Sequence, residues 1–198
     1  MNWETLLAFG DSITYGARSY LGYPEICGDI LGVKLDKKWH VINHATNGYN
    51  TMDLIRSINP LMDNYKNSYP SIITVMIGTN DIKMNVCIND FRIAYNQLIV
   101  KLKLFSIGNN ILLLKIPRFT QKVFYPYNYS MNEKVNEFNS CIEQLAVEND
   151  LRCFDFNLKE DDFFDGVHLN SKGCHTVAQQ LSSFILKDKG IESSTDLQ

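Results

Sequence analysis

Residues 71–77, Ser-Ile-Ile-Thr-Val-Met-Ile, are almost wholly apolar and rich in β-branched side chains. Such side chains are stiff and suit a pleated strand, and a strand with no polar face must be covered on both sides. This run therefore points to a buried parallel strand with helices above and below it. The rest of the chain keeps the same rhythm. Short apolar runs at Thr5–Phe9, Trp39–Asn43, Asn110–Ile116 and Arg152–Phe156 alternate with longer amphipathic segments. Helices are expected from Pro24 to Leu35, from a cap at Thr51 to Pro60 or past a kink there, and from a cap at Asn89. In this third helix Phe91, Leu98, Leu102 and Phe105 recur at helical spacing until Gly108-Asn109 stops it. Ser130-Met131-Asn132-Glu133 has capping-box spacing and opens a helix to about Asn149; a last helix runs from Ser171 to about Lys187. The alternation predicts an α/β fold whose mainly parallel sheet has helices on both faces. In such sheets the site lies beyond the carboxyl ends of the strands.

The chain has 198 residues, 45% of them hydrophobic. One domain over residues 1–198 is expected, with 193–198 a frayed tail. A chain of this size buries roughly 70% of its unfolded surface and needs no covalent staple. A net charge of -3 gives no electrostatic reason to expect nucleic acid as a partner. No run approaches the ~18–20 apolar residues of a membrane span. The start lacks a basic segment followed by a long apolar one, so a cytoplasmic location is expected. Cys27, Cys87, Cys141, Cys153 and Cys174 are scattered and odd in number, and no C-x-x-C pair occurs. They read as reduced thiols rather than a disulfide framework or a zinc site. No feature of the sequence specifies an oligomeric state.

The chemistry-bearing residues fall at strand ends. Ser12, in Gly10-Asp11-Ser12-Ile13-Thr14, follows the first strand, and Asp165-Gly166-Val167-His168 places a carboxylate three residues before an imidazole. A serine hydroxyl is a weak nucleophile that needs a base within hydrogen-bond reach and a group to orient that base. Ser12, His168 and Asp165 can fill those roles. Each motif alone is also compatible with an ordinary turn; their order within one α/β pattern favours the catalytic reading. Acyl transfer further requires fixed donors for the developing oxyanion. Gly48, after the second strand, offers an unobstructed backbone N–H. Asn80, in Gly78-Thr79-Asn80-Asp81 after the third strand, offers a neutral amide. The backbone N–H of Ser12 is a third candidate. Asp11 and Asp81 read as residues that brace their loops, and His44 as a stabiliser of the Gly48 loop.

These blocks resemble the SGNH, or GDSL-type, hydrolase family. The match runs through Gly10-Asp11-Ser12, then Gly48 preceded by Asn43, then Gly78-Thr79-Asn80-Asp81, then Asp165-Gly166-Val167-His168-Leu169. It extends from about Leu6 to Leu186. The resemblance implies a three-layer α/β/α, flavodoxin-like fold with five parallel strands. It also implies ester hydrolysis through an acyl-serine, without metal or other cofactor. Carried over, Ser12 is nucleophile and oxyanion donor, Gly48 and Asn80 are donors, His168 is base and Asp165 its orienter. The Gly-x-Ser-x-Gly elbow of α/β-hydrolases is absent, since Thr14 stands where its last glycine would be.

The aromatic segment Pro117–Tyr129 follows the fourth strand and is expected as a pocket wall or lid, or as packing of its own loop. Arg118 within it can pair with an anionic substrate. Glu160-Asp161-Asp162 reads as a solvated loop rather than a calcium site. The expected partner is a small-molecule ester with a short acyl group such as acetyl, on a carbohydrate or a related metabolite. The alternatives are acyl transfer at the same site and a non-catalytic binding module.

Overall fold

A computed structural model describes residues 3–65, 69–104, 106–107, 109–188 and 190. Five strands, β1 (Trp3–Gly10), β2 (Lys38–Asn43), β3 (Ile72–Met76), β4 (Ile111–Leu114) and β5 (Arg152–Phe154), form one sheet in the order β2-β1-β3-β4-β5. Every neighbouring pair is parallel. The helices are α1 (Ser12–Tyr15), α2 (Tyr23–Leu35), α3 (Thr51–Ile58), α4 (Thr79–Lys83), α5 (Ile88–Lys103), α6 (Asn132–Glu148) and α7 (Ser171–Asp188).

Strand side chains alternate between faces, and the two cores follow that period of two. Leu6, Ala8, Ile72 and Met76 point to one side, where Tyr23, Cys27 and Leu31 of α2 and Val177, Ala178 and Leu181 of α7 cover them. Leu7, Phe9, Ile73 and Val75 point to the other, against Leu54 of α3, Phe91 and Leu98 of α5, and Phe138 and Ile142 of α6. All five residues of β3 are buried, which is why its sequence carries no polar alternation. Each large apolar side chain so enclosed contributes on the order of 1.5–3 kcal/mol. The three-layer architecture expected from the sequence is thus the one observed.

Helix starts differ from the sequence reading. Asn50, not Thr51, caps α3: its side chain accepts from Asp53 N while Asp53 answers to Asn50 N. Thr51 is instead bonded to Asp81 through both N (2.9 Å) and Oγ1 (3.1 Å). Past Ile58 the chain tightens into a 3-10 helix, Asn59–Tyr65, which includes Pro60. Cys87 Sγ, rather than Asn89, caps α5 by accepting from Asp90 N. Ser130 does not cap α6. It lies in a 3-10 turn, Tyr129–Met131, and its hydroxyl donates to Asn128. The start of α6 is fixed by a tertiary clasp instead: Asn132 accepts from Phe119 N (2.8 Å) and donates to Phe119 O (2.9 Å). The short α1 and α4 have no expected counterpart. The acidic 160–162 stretch is a 3-10 turn in which Asp162 is buried and accepts from Lys159 N, a correction to the solvated-loop reading. Phe105, Gly108 and the expected tail at 193–198 lie outside the described residues. All five cysteines are free.

From β1 the chain moves to one edge for β2 and then crosses to the other side of β1 for β3. The carboxyl ends of β1 and β3 therefore flank a topological switch point, where open α/β sheets form their crevice.

Candidate active site

The turn after β1 sets the position of Ser12. A Cβ on Gly10 would collide with the Thr14 side chain and lie 2.5 Å from Met76 O, so only glycine fits where β1 passes β3 into α1. Asp11 then caps α1, its Oδ1 accepting from Ile13 N at 2.9 Å. Ser12 stands in the first turn, where backbone N–H groups have no intrahelical acceptor. The Ser12 N–H is thus available to a ligand oxygen.

His168 reaches Ser12 from 156 residues further along the chain. Phe163 and Leu169 form an antiparallel bridge, and Phe164 N donates to His168 O at 2.8 Å, closing a tight loop. Asp165 Oδ1 accepts from the N–H groups of Val167 (3.1 Å) and His168 (2.8 Å). Its Oδ2 bonds His168 Nδ1 at 2.8 Å, and His168 Nε2 reaches Ser12 Oγ at 3.0 Å. Serine, imidazole and carboxylate therefore form one continuous hydrogen-bonded chain. Burial works against the charge on Asp165, but the His168 N–H, the His168 ring and the Val167 N–H outweigh it and hold the carboxyl below its ordinary range. An ionised Asp165 keeps the proton of the neutral ring on Nδ1, which leaves Nε2 free to accept from the serine.

Two further loops close on this chain. The Gly48 loop is tied to β1 by Thr46 N donating to Gly10 O (3.1 Å). It is tied to α4 by Asn80 Nδ2 donating to Tyr49 O (2.9 Å). Gly48 has φ +81°, and a Cβ there would meet no heavy atom within 4 Å. Among the described residues its N–H has no protein acceptor. Asn80 is buried in the first turn of α4, and its Oδ1 accepts from the Tyr127 hydroxyl at 3.4 Å.

Asp81 accepts from Thr51 and so joins the β3 loop to the start of α3. Burial raises its pKa. Asp11, fully enclosed, is pushed up from 3.8 to about 7, chiefly by desolvation and against the pull of the Ile13 N–H and the Thr79 hydroxyl. His44 stacks on Phe9 with ring centroids 5.6 Å apart and bonds Tyr65, and burial lowers its pKa. Arg118 is not brought to the triad. It is exposed, donates to Asn136 Oδ1, and lines a cavity of about 670 Å³ that none of Ser12, Gly48, Asn80, Asp165 or His168 touches.

Two residues near the triad were not singled out by sequence. Arg18 Nε lies 4.0 Å from Asp165 Oδ2, with its guanidinium 5.9 Å from the Phe164 ring centre. Tyr127 belongs to the aromatic segment flagged above, but nothing local marks it among its neighbours. Among the described residues no group of three or more His, Cys, Asp or Glu is placed to hold a metal ion. Nor is any helix long and apolar enough to cross a membrane.

Comparison with known proteins gives consistent matches. The model of the GDSL-like Lipase/Acylhydrolase family matches residues 8–175. A curated human relative, isoamyl acetate-hydrolyzing esterase 1 homolog, is 26% identical over 93% of this chain and 82% of its own length. Among solved structures, an acetyl xylan esterase superposes with a TM-score of 0.74 at 24% identity, covering 91% of this chain and 99% of that one. A member of the lipolytic G-D-S-L family from Veillonella parvula gives 0.75 at 18% identity, covering 94% and 99%. These two structures share the fold.

Proposed function

Because this chain belongs to the GDSL-like lipase/acylhydrolase family, we propose that it hydrolyses short-chain carboxylic esters, acetyl esters foremost, through an acyl-serine intermediate. The observation that carries this reading is the unbroken path Ser12 Oγ–His168–Asp165, at 3.0 and 2.8 Å. In the first half-reaction Ser12 Oγ attacks the acyl carbon as His168 Nε2 takes its proton. Asp165 stabilises the imidazolium that results. The acyl oxygen becomes an oxyanion facing the N–H groups of Ser12 and Gly48 and the Asn80 amide, donors that need no reorganisation as charge develops. Collapse expels the alcohol, which leaves with the proton from His168. Water then repeats the sequence, with His168 again as base, and releases the acid.

The acetyl preference is supported by the names of the relatives, one a homolog of an isoamyl acetate-hydrolyzing esterase and one an acetyl xylan esterase. A carbohydrate or small alcohol as the other half of the ester fits the same reading. The test is a fluorophosphonate probe together with p-nitrophenyl esters from acetyl to octanoyl. The unsubstituted protein should be labelled on Ser12 and should turn over acetate fastest. Ser12→Ala should lose labelling and at least roughly 10³-fold in kcat. Labelling without a preference for short chains would overturn the acetyl assignment, and no labelling or turnover would overturn the hydrolase reading itself.

A further inference from the structure

The Pro117–Tyr129 segment is held to the body near its start, at Phe119 and Thr120, and further along it brings the Tyr127 ring to Asn80. The Asn132 clasp on Phe119 secures one end to α6. Thr120 N donates to Gly166 O at 3.0 Å and joins the segment to the loop that carries Asp165 and His168. Phe119 is buried, and the Tyr127 ring packs edge-on against it with centroids 5.2 Å apart. Lys83 Nζ, from α4, lies over the Tyr127 ring, 6.0 Å from its centroid. The hydroxyl at the end of this half-buried ring donates to Asn80 Oδ1.

An amide side chain has one acceptor oxygen and two donor hydrogens, and a half-turn about its last bond exchanges them. At Asn80 one Nδ2 hydrogen goes to Tyr49 O. The Tyr127 hydroxyl occupies the oxygen end. Partners on both ends fix which way the amide faces and leave one N–H for the oxyanion. A donor on the oxygen also draws charge from the nitrogen and strengthens that N–H, since linked hydrogen bonds polarise one another. The phenol is well suited to the donor role. Burial, with the carboxylates of Asp11 and Asp165 nearby, pushes it up to about 12, so it keeps its proton across the working range.

We propose that Tyr127 is a positioning residue for the oxyanion donor, acting through the Asn80 amide and not on the substrate itself. This rests on the ester-hydrolase reading above. The role predicts a particular pattern of dependence. Tyr127→Phe removes only the hydroxyl and keeps the ring packed on Phe119. It should lower kcat for p-nitrophenyl acetate by roughly 3- to 10-fold, the effect of one hydrogen bond, with KM little changed. Asn80→Ala should lose about 10²- to 10³-fold in kcat. In the Asn80→Ala background, Tyr127→Phe should cost nothing more, because the group it acts through is gone. Equal losses in both backgrounds, or no loss in the native one, would overturn the positioning role and leave the hydrolase reading intact. Absence of Ser12-dependent turnover in the unsubstituted protein would overturn the hydrolase reading, and this proposal with it.

Discussion

At Gly166 the backbone holds φ at +85°, and a Cβ built there would lie 2.5 Å from Val123 N. At Gly48 φ is +81°, yet the same atom would meet open space. The two glycines separate conformation from contact. Alanine at Gly48 should cost about 1 kcal/mol for the left-handed backbone alone. Alanine at Gly166 must also push back main chain and should cost about 2–3 kcal/mol. That displacement moves the turn in which Asp165 and His168 sit, so kcat/KM for p-nitrophenyl acetate should fall at least roughly tenfold. Urea unfolding and steady-state kinetics on the two variants check both statements. If Gly166→Ala kept native stability and activity, the loop could not be as tightly backed by Val123 as it stands here. The groups of the triad were legible because each sits in a short local motif. Tyr127 and Arg18 were not, because their partners are remote: Tyr127 meets Asn80 47 residues away in sequence.

Among the secondary-structure elements, strands were read more faithfully than helix starts, for a physical reason. A strand covered on both faces must be apolar throughout, so Ile72–Met76 declares itself. A helix start is a competition among neighbouring polar side chains, settled by what else each can reach. Asn50 and Thr51 are both good caps, and Asp81 claims Thr51 while Asn50 takes the cap. Ser130 had the right spacing but lost to the Asn132 clasp. The helices α1 and α4, at four and five residues, are too short to show any period. The Asn50 capping box yields a prediction at this scale. Asn50→Ala leaves the Asp53 N–H at the start of α3 unpaired and should destabilise the protein by about 1 kcal/mol. Activity should fall less than stability, because the Asp81 bonds to Thr51 still hold α3 to the site. Thermal unfolding alongside ester turnover measures both; a large kinetic loss with full stability would contradict this division.

For the molecule as a whole, Asp11 gives a distinct dependence on pH. Its carboxyl ionises near 3.8 when exposed and at about 7 in the fold. Between those values the folded protein holds a proton that the unfolded chain has released. Stability from this group is therefore complete below pH 4 and declines as pH rises toward 7, by as much as about 1.4 kcal/mol per pH unit. Asp165, held below its ordinary range, acts in the opposite sense: its contribution is present at neutral pH and is lost only as acid protonates it. Asp11→Asn keeps an oxygen for Ile13 N and removes the titration. Its stability should change less between pH 5 and 7.5 than that of the unsubstituted protein, read from urea midpoints across the series. Parallel curves for the two proteins would show that Asp11 does not titrate in that window.

Ser12 and His168 meet across 156 residues of intervening chain. During synthesis Ser12 is made well before the imidazole it is proposed to use as base. A nascent or prematurely terminated polypeptide ending before residue 168 carries Ser12 without the imidazole that bonds it in the fold. If Ser12 and His168 act as proposed, a fragment that ends before residue 168 should be inert toward p-nitrophenyl esters.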